Sequence, residues 1–190
     1  MNLYVRLLLA LWSGIRADRL QHNAVFKKSF RVWPHDLDAF GHMNNGRYLQ
    51  IMDVARAEWM VRTGVLGTMR NHGWTALLGG GATRFRHSLS LWQSYEVDTR
   101  LLCWDQRWFY FEHSFLDLSG RCLAVGVSQA AIRDKKGWVC ANRVAAEVAP
   151  DQPSPPMPVF LRDWLNLDEA MFCHAQQPQM DRTAQVEVAL

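Results

Sequence analysis

The sequence predicts an α+β fold in which one long helix is wrapped by a curved antiparallel sheet of about five to six strands. Two patterns carry that expectation. From Asn45 onward, Tyr48, Met52, Ala55 and Trp59 recur at helical spacing, the stripe of a helix buried on one side. From Trp74 onward the period changes to two, and turn residues cut that half of the chain into successive strands. A length of 190 residues suits one domain with one sizeable core and some peripheral elements.

Residues 1–21 form an N-terminal apolar helix or anchor. Leu3 to Trp12 is mostly apolar, interrupted only by Arg6. It is too short to span a bilayer, which takes about 20 residues. No positive segment precedes it and no A-x-A-like site follows, as a secretory signal would require. A helix packed on the protein is the first reading, a peripheral membrane contact through the N-terminus the second, and a cleaved signal the third. Val25 to Trp33 reads as a strand that Pro34 ends. Asn44 or Asn45 can cap the long helix by accepting a backbone N–H, and Gly64 offers its stop. Strands are expected over about 82–91, 95–104, 108–117, 121–132 and 138–148, with a bulge or tight bend at Gly79-Gly80-Gly81. Pro153, Pro155, Pro156 and Pro158 make 150–158 a linker. A short helix over Val159 to Phe172 and a loose tail over the last dozen residues complete a division into 1–21, 22–149 and 150–190.

Composition narrows the function classes. Hydrophobic residues at 49% and charged residues at 21% exclude a largely disordered chain. The net charge of +3 comes from scattered Lys and Arg, which does not suggest a nucleic-acid partner. Nine Trp and nine Phe suggest apolar surface used beyond one core, in a subunit interface or a pocket for an apolar ligand. Cys103, Cys122, Cys140 and Cys173 lie far apart and read as reduced thiols in a cytoplasmic setting.

The segment from His35 to Asn45 concentrates two carboxylates, two imidazoles and two carboxamides between a strand end and a helix start. The helix N-terminus offers unpaired N–H groups and partial positive charge to an oxyanion, and a neighbouring carboxylate can activate water or attack as a nucleophile. Asp36 and Asp38 can equally be turn and capping residues, with His42 a polar neighbour. His35, Asp36, Asp38 and His42 show no recognised metal-ligand spacing. His113 reads as a packed or exposed strand residue, and Ser128 lacks a nucleophile-elbow context.

The run Asp36-Leu37-Asp38-x-x-Gly-His-Met-Asn-Asn-x-x-Tyr48, followed by a long helix, resembles the signature of the 4-hydroxybenzoyl-CoA-thioesterase-like hot-dog proteins across roughly residues 22–149. The likeness is strongest to the branch of thioesterase superfamily member six, through D-L-D-x-x-x-H-M-N-N-x-R-Y-L, Gly64-Val65-Leu66-Gly67 and Arg100 to Asp105. The resemblance implies a hot-dog fold and a hydrolase of acyl thioesters carried by coenzyme A or acyl carrier protein. It places the catalytic carboxylate on Asp38 with His42 beside it, and substrate contacts at Gly41, Met43, Asn44, Asn45 and Tyr48. Plant acyl-carrier-protein thioesterases match at Asp38 and His42, but their Asn falls on Phe40, so an Asn-assisted mechanism does not carry over. The likeness also implies a homodimer or homotetramer, and no metal or redox cofactor. If coenzyme A is the carrier, Arg84, Arg86, Arg107, Arg133, Lys135 and Lys136 are candidates for its phosphates. The alternative is a non-catalytic hot-dog protein that binds acyl-CoA or lipid, which Phe40 and the apolar N-terminus favour and Asp38 and His42 oppose.

Overall fold

The structure is a computed structural model that describes residues 3–150 and 152–176. The chain divides into two compact units, Met1–Pro155 and Pro156–Leu190. The first runs α1 (Leu3–Arg16), β1 (Phe26–Arg31), a 3-10 turn at Pro34–Asp36, α2 (Asn45–Thr63), α3 (Val65–His72), β2 (Thr75–Phe85), β3 (Ser94–Trp104), β4 (Trp108–Leu116), β5 (Cys122–Asp134), β6 (Gly137–Val139) and α4 (Ala141–Val148). The second holds α5 (Val159–Gln176). The tail expected over the last dozen residues lies outside the described residues.

The strands form one antiparallel sheet in the order β1-β3-β4-β5-β2, with β6 pairing to β5. Helix α2 lies against it, starting and stopping where local chemistry directs. The Asn44 side-chain oxygen accepts the Gly46 N–H at 2.8 Å, and Gly64 ends the helix in the left-handed region at φ +86°. The stripe Tyr48, Met52, Ala55 and Trp59 is buried with Phe111, Phe115, Leu123 and Ala124 in the main core. Gly126 on β5 makes this packing close, because a Cβ there would collide with the Met52 thioether.

Three elements differ from expectation. β2 covers Thr75–Phe85 rather than 82–91, since the strand continues through its glycines by way of a bulge between Leu78 and Gly80. That bulge sits within the expected triplet. The strand expected over 138–148 is the short β6 followed by α4, whose Ala141, Val144 and Val148 follow a helical spacing. Val144 joins Met69, Trp74, Ile132 and Val139 in a second small core, which rewards the helix over a strand. Helix α3 follows directly on the Gly64 stop and is closed by Gly73 at φ +67°.

Helix α1 packs on α2. Its inward residues are Arg6, Ala10 and Gly14, and a Cβ at Gly14 would lie 3.0 Å from the Val61 Cβ. Its outward face carries Tyr4, Leu8, Trp12 and Ile15, all exposed. Among the described residues no helix is long and apolar enough to cross a membrane.

Candidate functional site

The turn between β1 and α2 is held by its two aspartates in different ways. Asp36 is 0% exposed: its Oδ2 accepts the Trp33 N–H at 2.9 Å and pairs with Arg6 from α1, while Arg47 Nε lies 3.6 Å from Oδ1. Its carbonyl accepts the Asn44 N–H, which ties the buried carboxylate to the cap of α2. Asp38 is half-buried. Its Oδ1 accepts the N–H groups of Phe40 at 2.8 Å and His42 at 3.4 Å, its N–H donates to the His42 carbonyl, and its own carbonyl accepts from Gly41. Gly41 turns the chain at φ +78°. Among the described residues Asp38 Oδ2 takes no hydrogen bond, so one carboxylate oxygen is uncommitted.

The other candidate residues separate into outward and inward sets. Gly41, His42, Asn44 and Asn45 are exposed, and Phe40 at 86% exposure stands in solvent. Met43 and Tyr48 point into the core, Tyr48 between Phe85 and Phe115 with ring centroids 4.9 Å from each. Burial pushes the Tyr48 phenol's pKa up, opposed by a backbone hydrogen bond at Leu89. The amides in this turn are mostly occupied, because Phe40 and His42 serve Asp38 Oδ1, Gly41 serves its carbonyl, and Met43 donates to the Leu89 carbonyl. Asn45, the first residue of α2, carries an N–H that the helix itself leaves unpaired.

Farther along α2, an apolar cavity of about 390 Å³ opens between the helix, the sheet and α4. Trp59, Leu101, Phe109, Phe111 and Val144 are among its walls, and Asp53, Arg56 and His22 are its charged or titratable lining groups. Arg56 begins a polar chain that runs into the core. Its Nη2 pairs with Asp53 and its Nη1 donates to Ser128 Oγ at 2.9 Å. Ser128 Oγ in turn lies 3.3 Å from His113 Nε2, and His113 Nδ1 shares a hydrogen bond with Thr99 Oγ1 at 3.0 Å. Burial, reinforced by the Arg56 charge, lowers the pKa of the fully buried His113 to about 3.

This histidine gives the protein a measurable acid sensitivity. Between about pH 3 and its ordinary value of 6.5, the unfolded chain binds a proton at His113 that the folded chain refuses, so stability falls as the pH drops below 6.5. Urea melts at about pH 7.5 and about pH 5 should show the wild type losing about 2 kcal/mol more than His113→Gln. Equal losses would mean that His113 protonates without unfolding the core.

The sequence reading did not single out Asp53 and Arg56, and it left His113 undecided. A usable signal was present, because an Asp and an Arg three apart on a helix otherwise buried mark a paired polar stripe beside the apolar one. The six basic residues considered for phosphate binding are all exposed, and Arg107 stacks over Trp138 at 3.9 Å. Among the described residues no group of three or more His, Cys, Asp or Glu side chains could hold a metal ion.

Residues 32–165 match the family model described as the thioesterase-like superfamily. Protein THEM6 of Xenopus laevis is 46% identical over 87 residues, covering 46% of this chain and 42% of that protein. The chain spans about half the length of the curated relatives it matches. YbaW, a probable thioesterase from Escherichia coli, superposes with a TM-score of 0.61 at 16% identity, over 66% of this chain and 96% of that one. A Staphylococcus aureus protein solved in complex with CoA gives 0.59 at 15% identity, over 75% and 94%. These likenesses are of fold: the helix and curled antiparallel sheet are those of hot-dog thioesterases.

Proposed function

Since the chain belongs to the thioesterase-like superfamily, we propose that it hydrolyses acyl thioesters, with coenzyme A or acyl carrier protein as the carrier. The observation that carries this reading is a single helix, α2, with an uncommitted carboxylate oxygen beside its N-terminus and an apolar cavity along its later turns. Water attacks the thioester carbonyl while Asp38 takes its proton, or Asp38 attacks and the resulting anhydride is hydrolysed; in both routes the thiolate leaves and takes up a proton. The Asn45 N–H stabilises the developing oxyanion, and His42 orients the water. Gly41 and Asn44 border the approach, and Met43 and Tyr48 seat the turn from beneath. Asp53 lies eight residues beyond Asn45, about 12 Å along the helix, so long acyl chains should reach the cavity and short ones should not. Thiol release from short, long and aromatic acyl-CoAs tests the proposal. Release favouring long chains supports it; no release from any of them or from acylated carrier protein points to a binding-only protein.

A homodimer or homotetramer is part of the same reading. β2 is an edge strand whose Leu77, Leu78 and Phe85 are exposed, a surface that pairing with a second copy would cover. The outward face of α1 supports peripheral membrane contact, because Tyr4, Leu8, Trp12 and Ile15 share one side and the Arg16 guanidinium lies 3.7 Å over the Trp12 ring. In vesicle flotation the wild type should float with phosphatidylcholine–phosphatidylserine vesicles. Leu8→Glu/Trp12→Glu should reduce the bound fraction more than tenfold, as two large apolar side chains contribute about 3–6 kcal/mol when buried. A wild type that stays at the bottom would leave that face for another partner.

A further inference from the structure

Strand β5 supplies part of the floor of the apolar cavity beside α2. Successive residues of a strand face opposite sides, so Ala124, Gly126, Ser128, Ala130 and Ile132 form one row. That row faces α2, because a Cβ at Gly126 would collide with the Met52 thioether and Ser128 Oγ accepts from Arg56 Nη1 at 2.9 Å. Four helix residues and two strand residues each advance about 6–7 Å, so the next equal step brings Ala130 opposite Met60. Both residues line the cavity. Across the sheet Ala130 pairs with Phe109 on β4 and with Leu78 on β2, and these line it too. A single methyl group therefore stands between two large side chains, at the low point of the floor.

We propose that Ala130 sets the longest acyl chain the cavity accepts, which makes it a specificity-determining residue; the identity of the occupant rests on the acyl-thioester reading. Met60 lies fifteen residues beyond Asn45, about 22 Å along α2, so only the distal part of a long chain comes to Ala130. Beyond that point the cavity ends on Ile132 and Val144, which belong to the second small core. Carbon added to the Ala130 side chain takes the place of chain methylenes at this end and leaves the nearer walls unchanged. Ala76 lines the cavity as well, but it is exposed on the edge strand β2, where a larger side chain can turn to solvent. Ala130, on β5 between β4 and β2, has no such freedom.

The test reads binding rather than turnover. Titration calorimetry on the full chain uses S-alkyl-CoA thioethers, which no thioester hydrolase can cleave, in even steps from hexyl to octadecyl. Wild-type affinity should rise about fourfold for each methylene that enters the cavity and then level off. Ala130→Leu should keep the wild-type affinity for the short thioethers and level off about two or three methylenes earlier. Ala130→Val, whose β-branched side chain suits a strand, should fall between the two. A variant that is merely loosened would weaken all chain lengths alike, so a uniform loss overturns the proposal. So do a levelling-off point unchanged in both variants, a wild type whose affinity does not depend on length, and a wild type that binds no thioether. Val decides alone if the Leu variant does not fold, and failure of both to fold would mean that the position has no room for added carbon, which also overturns it. Failure of the hydrolase reading would appear separately, as an absence of thiol release from acyl-CoAs whose thioethers still bind in this order.

Discussion

Asp38→Asn is expected to lower the rate of thiol release from the best acyl-CoA by about 10²- to 10⁴-fold, the usual contribution of a positioned general base. The choice of Asn matters. Asp38 Oδ1 holds the Phe40 and His42 amides, so Asp38→Ala removes two turn hydrogen bonds together with the base, at about 1 kcal/mol of stability for each. An amide oxygen in place of Oδ1 can keep both bonds while the proton acceptor is lost. Asn should therefore abolish turnover with a melting temperature close to wild type and acyl-CoA binding intact, and Ala should abolish turnover with a lower one. Full activity in the Asn variant would reduce Asp38 to a turn residue and move the search for the base to Asp53, the exposed carboxylate lining the cavity.

The division of labour between Asp36 and Asp38 shows where the sequence is legible and where it is not. α2 could be read because both its ends are local events: Asn44 accepts an N–H two residues away, and Gly64 needs only its own backbone. β3 and β4 were legible for a similar reason, since alternation is a property of a strand's own residues. α3 and α4 have eight residues each, too few for a period to stand out, and what stabilises α4 is a small core gathered from Met69, Trp74, Ile132 and Val139. The two aspartates are two positions apart and look alike in sequence. What buries Asp36 is Arg6, thirty positions earlier on another helix. The polar chain from Arg56 to Thr99 is likewise drawn from α2, β5, β4 and β3, and no window of sequence contains it.

Arg6→Met should cost about 3 kcal/mol of stability, because it strands the Asp36 carboxylate, which is fully buried, without its close partner. Arg47 and His35 lie 3.6 and 3.5 Å from Asp36 Oδ1 and soften the loss without replacing the bond to Oδ2. Arg6→Met/Asp36→Leu, which removes both charges, should recover most of the difference, since a buried ion pair contributes little over an apolar pair. Urea unfolding of the two single variants and the double one closes the cycle. A single-variant cost under about 1 kcal/mol would mean that α1 does not depend on this pair for docking. The outcome bears on the surface as well as on stability. In an otherwise apolar helix the one charged residue near the start points inward, and Ala10 and Gly14 make room along the same face. Arg6 thereby sets the helix's rotation and turns Tyr4, Leu8, Trp12 and Ile15 outward. Freeing α1 should let that face turn in against the protein. Arg6→Met is thus expected to lose vesicle binding along with stability, although every residue of the apolar face is retained.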